Sequence, residues 1–277
     1  MKKSILLFSS LLMILSSCIK TSGANGKDGE NGISFNWNSN EGKGPIKEKT
    51  ITENFTGIAI SNSLDAEVFR STENKVVISA PDDILEFITA NLQSDGTMKI
   101  GITNNSSWKN GISTKKVLVK VYTKILNKVE ANSSAEVKIR DQFTQDNIEI
   151  NISSSGEVEG KLEANNFKMS VGSSGEFEGE IWADVADISV NSSGTAKMKG
   201  KIQNATISVS SSGDFEGENL EIKKGNLQAS SSGDLQAIVS GNVEANASSS
   251  GSIRLKKLGN PTITKSESSS GSVRIVD

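Results

Sequence analysis

The chain has 277 residues, no histidine, one cysteine and a formal charge of -3 at neutral pH. The missing imidazoles exclude His-based triads, His general bases and the commonest zinc ligand, and the near-balanced charge excludes a non-specific nucleic-acid binder. Hydrophobic residues reach 35% but aromatics only 5%, so a narrow interior of Val, Ile, Leu and Ala is expected rather than a broad core of large rings.

At the N-terminus, Lys2 and Lys3 precede an apolar run from Ile5 to Leu15, which reads as a secretion signal and is too short for a permanent membrane-spanning helix. Cys18, being the single cysteine, serves neither an internal disulfide nor a Cys-based metal site. Leu15-Ser16-Ser17-Cys18 resembles the lipobox of bacterial lipoproteins, with Ser17 where Gly or Ala is commoner. The resemblance implies a signal over residues 1–18 and a lipidated Cys18 that holds the protein to a membrane, each buried methylene contributing about 0.8 kcal/mol. A chance cysteine after an ordinary signal peptide is the alternative. Residues 19–46 read as a tether: Gly23, Gly26, Gly29 and Gly32 recur every third position, but four triplets without proline cannot hold a collagen triple helix. Trp37 has no assigned role there.

Residues 47–130 form an all-β segment. Thr56 to Ile60, Ala66 to Phe69, Lys75 to Ser79, Met98 to Ile102 and Val117 to Tyr122 are short alternating runs separated by turn residues. Pro81 to Ile88 is the one helical turn expected, with Asp82 or Asp83 as its cap and Ile84, Phe87 and Ile88 on one face. This segment is expected to continue or cap the array that follows.

Residues 131–277 are built on a returning tetrapeptide. Ser-Ser-Ser-Gly stands at 153–156, 210–213, 230–233, 248–251 and 268–271, with Gly172 to Gly175 and Asn191 to Gly194 as variants and Asn132 to Ala135 as a degenerate copy. Successive last positions (135, 156, 175, 194, 213, 233, 251, 271) differ by 21, 19, 19, 19, 20, 18 and 20. So regular a step is the signature of a stacked repeat. Apolar residues alternate before the serines, as in Phe167, Met169 and Val171, and after the glycine, as in Leu235 and Ala237. Two short strands per step match one coil of a parallel β-helix, and seven coils spaced at about 4.8 Å make a rod of roughly 30–35 Å. The turn column Gly156, Gly175, Gly194, Gly213, Gly233, Gly251 and Gly271 is expected to supply positive φ, and the serine hydroxyls to satisfy backbone groups the turn leaves unpaired.

No lysine keeps a fixed offset from the serines, which leaves them without a base for nucleophilic catalysis. Glu157, Glu159, Glu176 and Glu178 would crowd four negative charges on one face, as a weak calcium site or as a hydrated wall. Repeated carboxylates also raise the alternative of a polysaccharide lyase or hydrolase, although no aromatic platform is evident beside them. No other cofactor is implied. At the far end, Arg254, Arg274, Lys256 and Lys257 would discourage edge-to-edge growth, unless two chains meet there as a homo-oligomer.

Phe55-Thr56-Gly57-Ile58, Ser94 to Ile100 and iterated units such as Ser211-Ser212-Gly213-Asp214-Phe215 resemble the head GIN domain family of auto-transporter adhesins, over roughly residues 50–277. The family commonly shows Ser-Gly-Ser-Gly-Asp, so the doubled serine is a mild departure. The resemblance implies a right-handed parallel β-helix, an envelope location of the kind found in Bacteroidota, in the outer membrane, and adhesion to an extracellular glycan or protein. It carries no catalytic motif. A non-catalytic binding module and a periplasm-facing scaffold both fit it.

Overall fold

The computed structural model describes residues 42–103 and 111–277; the signal-like segment, Cys18, Trp37 and nearly all of the tether lie outside the described residues. In chain order the elements are β1 (Ile46–Ile51), β2 (Gly57–Ile60), β3 (Asp65–Arg70), β4 (Lys75–Pro81), α1 (Asp82–Leu85), β5 (Ile88–Leu92), β6 (Thr97–Ile102), β7 (Leu118–Thr123), β8 (Lys128–Ala131) and β9 (Glu136–Ile139). Then come β10 (Phe143–Ile152), β11 (Glu157–Val171), β12 (Glu176–Val190), β13 (Thr195–Val209), β14 (Asp214–Ala229), β15 (Asp234–Ala247), β16 (Ser252–Lys257), β17 (Thr262–Glu267) and β18 (Ser272–Val276). From β8 onward each coil pairs in parallel with the next, which makes the molecule a β-solenoid.

Instead of two strands, β11, β12 and β13 are each one continuous run of 15 residues that bends without losing its ladder. Alternation decides what is inside. Val158, Leu162 and Ala164 point inward along β11; two exposed asparagines, Asn165 and Asn166, then shift the phase, and Phe167, Met169 and Val171 resume it. The resulting columns bury one apolar cluster through the array. They compensate one another in volume. Where the first inward residue is Phe177 or Phe215, the next is Gly179 or Gly217, and a Cβ on either glycine would stand 2.8 Å from that ring. Where the first is Ala196, the next is Met198. A column of fixed width is thus filled by large-small and small-large pairs, as close packing requires.

The turns correct one expectation. Positive φ falls on the two serines before the glycine, not on the glycine: Ser154 and Ser155 have φ of 52° and 60°, and the pattern recurs to Ser269 and Ser270. The glycine N–H closes the turn on the residue three before it, Gly156 N donating to Ser153 O at 3.0 Å, the geometry of a hairpin-type turn with two left-handed residues. Glycine is needed because the coils stack so closely. A Cβ at Gly213 would lie 2.6 Å from the carbonyl oxygen of Val190, one coil earlier. Apart from Ser63 Oγ, which donates to Ser133 O at 3.4 Å, the serine hydroxyls do not satisfy the turns among the described residues. Backbone does, since Ser155 N donates to Ser173 O at 3.1 Å and Ser174 N to Ser192 O at 3.1 Å, turn on turn.

The first segment forms the other end, and it is threaded out of order. β2 and β3, joined through the left-handed pair Asn62 and Ser63, lie between β6 and β7 on one side and β8 and β9 on the other. β4 then adds antiparallel to β7 and β1 antiparallel to β4, and β5 adds antiparallel to β6. The helical turn is capped by neither aspartate: Pro81 occupies the cap, Asp83 accepts from the Lys43 N–H at 2.9 Å, and Ile88 begins β5.

In the coil of β17 and β18, two core columns end in charge. Ile207, Leu227 and Ala245 are followed in register by Lys265, and Val209, Ala229 and Ala247 by Glu267. The two charges pair at 3.4 Å, and Glu267 also accepts from Val273 N at 2.7 Å. Inward charges of this kind blunt an edge that would otherwise recruit another strand.

Two outcomes are expected. Gly213→Ala should destabilise by about 1–3 kcal/mol through overpacking against backbone, whereas Ser212→Gly should stay within about 1 kcal/mol of the parent because relieved strain offsets added chain entropy. Urea midpoints check this, and equal losses would refute the division of roles. The double change Lys265→Leu and Glu267→Val should raise the mass seen by sedimentation at micromolar concentration; an unchanged mass counts against the end-blocking role.

Candidate functional site

Three irregular coil steps fall a few residues after the Ser-Gly turn, while the last coil gains two residues further on, between Lys257 and Thr262. Between β9 and β10 the offset to β11 falls from 21 at Lys138↔Glu159 to 19 at Phe143↔Leu162. The 20-residue coil gains its extra residue between Glu216 and Asn219, and the 18-residue coil loses residues against Gly217 to Glu221. The turn column admits no such change, because each turn must meet the next.

At the bend after the turn the outer surface is hollow. Ile139, Gly160, Gly179 and Met198 supply a floor, and the groove across these coils encloses about 410 Å³. One rim is the in-register column Glu159, Glu178, Lys197, Glu216; the other is Lys161, Glu180, Lys199, Asn219. Lys161 and Glu180 approach to 3.6 Å across neighbouring coils. At Gly179 the floor carries no side chain because that glycine leaves the inward space to Phe177. The groove is therefore a product of core packing as well as of surface charge.

Beside it runs an acidic ladder. Asp65, Glu136, Glu157 and Glu176 stand in register on successive coils. Burial, then the charges of Glu136 and Glu176, push the Glu157 carboxyl above its ordinary value. Burial and the Glu136 charge do the same at Asp65. Further along, burial and Asp234 raise Asp214, whose Oδ1 is buried without a partner. Glu157, Glu159, Glu176 and Glu178 do come together as two adjacent rungs. Lys197 closes on Glu176 at 2.7 Å and Lys138 on Glu136, so lysines supply screening that a bound cation would otherwise provide. Among the described residues, no set of three or more acidic side chains converges on one point as a metal site requires.

The sequence reading missed an aromatic on this wall. Trp182 is 47% exposed on the outer face of β12, and its indole N–H donates to Glu180 Oε1 at 3.3 Å. Counting alternate residues from the inward Phe177 puts Trp182 outside, so parity could have found it. The groove was also signalled by the second glycine in Glu157 to Gly160, Glu176 to Gly179 and Asp214 to Gly217.

The model of the family described as "Putative auto-transporter adhesin, head GIN domain" matches residues 54–261. The chain belongs to this family. Among solved structures, the head GIN chain is similar to a putative adhesin from Parabacteroides merdae, at 22% identity and TM-score 0.75, covering 86% of this chain and 98% of that one. It is similar to a putative adhesin from Parabacteroides distasonis at 18% identity and TM-score 0.73, covering 86% and 100%. A third structure, a putative lipid binding protein from Parabacteroides distasonis, shares 23% identity with TM-score 0.72 and coverage of 86% and 99%. At these identities the likeness shows the fold. No curated protein matches the chain.

The ladder sets a pH dependence. Folded Glu157 holds its proton more tightly than the unfolded chain does, so stability falls as pH rises from about 4.3 through the raised folded value. The cost then persists at neutral pH. Glu157→Gln should stabilise at pH 7 by at most about 0.5 kcal/mol once solvent screening is allowed for, with the gain vanishing below about pH 4. Paired thermal melts at the two pH values check this; a variant that melts below the parent at pH 7 would show that the ladder carries no charge penalty.

Proposed function

We propose that this chain is a non-catalytic binding module, held at the cell envelope by lipid on Cys18, that presents the groove at the coil bend to an extracellular ligand. The observation that carries the reading is the groove itself: an open trough with a glycine and methionine floor and charged rims, cut into a wall whose backbone is bonded on both sides along its length. A surface so braced loses little conformational freedom on contact, which favours affinity. Family membership supports adhesion as the role, and two of the similar structures are named adhesins. The carboxylates repeat along the ladder beside lysines, and repetition suits contact along a length better than bond cleavage at one point. The segment from Leu15 to Cys18 supports attachment through lipid, and the glycine-spaced residues after it support a tether between membrane and solenoid.

The test is a glycan and host-protein array probed with the Cys18→Ser chain, which lacks the attachment residue and should leave the membrane fraction. Lys161→Glu combined with Lys199→Glu should weaken the leading hit at least tenfold, about 1.4 kcal/mol, with an unchanged melting temperature. Undiminished binding by that variant, or cleavage of a bound polysaccharide, would overturn the reading.

A further inference from the structure

We infer that the hollow beside Trp182 is a subsite for a neutral saccharide, an inference that rests on the binding role proposed above. Trp182 projects from β12 with Glu163 in register on the coil before it and Lys201 on the coil after. With Gln145, Asn165 and Gln203 they line an open hollow of about 220 Å³. The indole edge is tethered to Glu180, a residue of the groove rim. A ligand lying in the groove therefore reaches the indole by extending two residues along the same strand.

The chemistry of the hollow selects its occupant. A pyranose ring has an apolar face of C–H bonds and a rim of hydroxyls. The exposed indole offers a flat surface for the first. The Gln203 amide, both donor and acceptor, suits the second, together with the Gln145 side-chain carbonyl and the Glu163 carboxylate. Gln145 Nε2 donates to Lys124 O, Glu163 accepts from Gln142 and Thr144, and Lys201 pairs with Glu221 at 3.0 Å. A protein partner fits less well. Across β10 to β14, Trp182 and Val185 are the only large hydrophobic residues exposed, whereas a stable protein interface needs an apolar centre. The acidic side chains around the hollow, Glu163 and Asp184, disfavour anionic polymers, which makes a neutral glycan the better match. The volume is below the roughly 300–1,000 Å³ of pockets for drug-sized ligands, as one or two sugar units of a longer chain require.

The experiment titrates the Cys18→Ser chain with cello-, xylo- and manno-oligosaccharides and with N-acetylglucosamine oligomers, following tryptophan fluorescence and heat of binding. At least one series should bind saturably and perturb the emission. Trp182→Ala should weaken that binding at least tenfold and abolish the spectral change, Trp182→Phe should retain part of the affinity, and both should melt with the parent. A saccharide that binds equally well to Trp182→Ala overturns the subsite, and so does the absence of binding in every series. The groove variant Lys161→Glu with Lys199→Glu separates the two readings. If it loses a protein hit from the array while no saccharide binds, the subsite falls and the binding module stands. If Trp182→Ala alone loses the saccharide while the groove variant keeps it, the subsite stands and the groove reading falls.

Discussion

Every other feature of this fold follows from the distance between coils. Parallel strands stack at about 4.8 Å, and here the turns stack as well, each second turn serine donating its N–H to the carbonyl of the next turn. Such a ladder cannot stretch at one corner and close at another. At the turn, the inner backbone of one coil lies under that of the next with no room for a methyl group, so glycine is imposed by contact. The strain of reversing the chain moves to the serines, which hold left-handed φ in pairs. A non-glycine residue there costs on the order of 1–2 kcal/mol. The cost is met because each turn also gains a backbone bond to its neighbour, and because stability in a repeat array is summed over many such interfaces.

A fixed turn column displaces variation into the spans between turns. Coils of 18, 20 and 21 residues reach the same register at the next turn through irregular steps at residues 139–143, 216–221, 237–242 and 257–262. The first two of these adjoin the groove. Surfaces that tolerate insertion without loss of fold are where binding specificity is built on a rigid scaffold. Volume compensation inside works toward the same end. Replacing Phe177 and Gly179 by Ala196 and Met198 one coil later keeps the interior full while both pairs still line the base of the groove through Gly179 and Met198.

The coil architecture was legible because its two periods are both simple. A 19-residue recurrence of glycine marks the stack, and alternation assigns Ile150, Met169, Ile188 and Ile207 to one buried column. What escaped was long-range or stereochemical. The coil of β2 and β3 has Leu64 where other turns carry glycine or alanine, and β2 meets β8 at an offset of 71 residues, Gly57 against Lys128 (128 − 57), so no periodicity reveals it. Assigning positive φ to glycine followed its general preference, and only the coordinates show that neighbouring backbone, not torsion, excludes a side chain. Trp182 was overlooked because the serine turns drew the reading toward one corner, although strand parity already placed the indole outside.

The acidic ladder bears on the function through what it costs. Asp65, Glu136, Glu157 and Glu176 stand as like charges on adjacent rungs, and partial burial, then neighbouring charge, pushes the Glu157 and Asp65 carboxyls up. Threonine and serine occupy the same column at Thr195, Ser252 and Ser272, so the position does not demand an acid for folding. Acids run from Asp65 to Glu176 and return at Asp214 and Asp234, so the column is mostly acidic alongside the groove, with Thr195 interrupting it. Lysines at 138 and 197 temper the field without cancelling it. The wall is thus anionic beside a trough that carries Lys161 and Lys199 on its far rim, a charge distribution whose field reaches beyond close contact and disfavours polyanions.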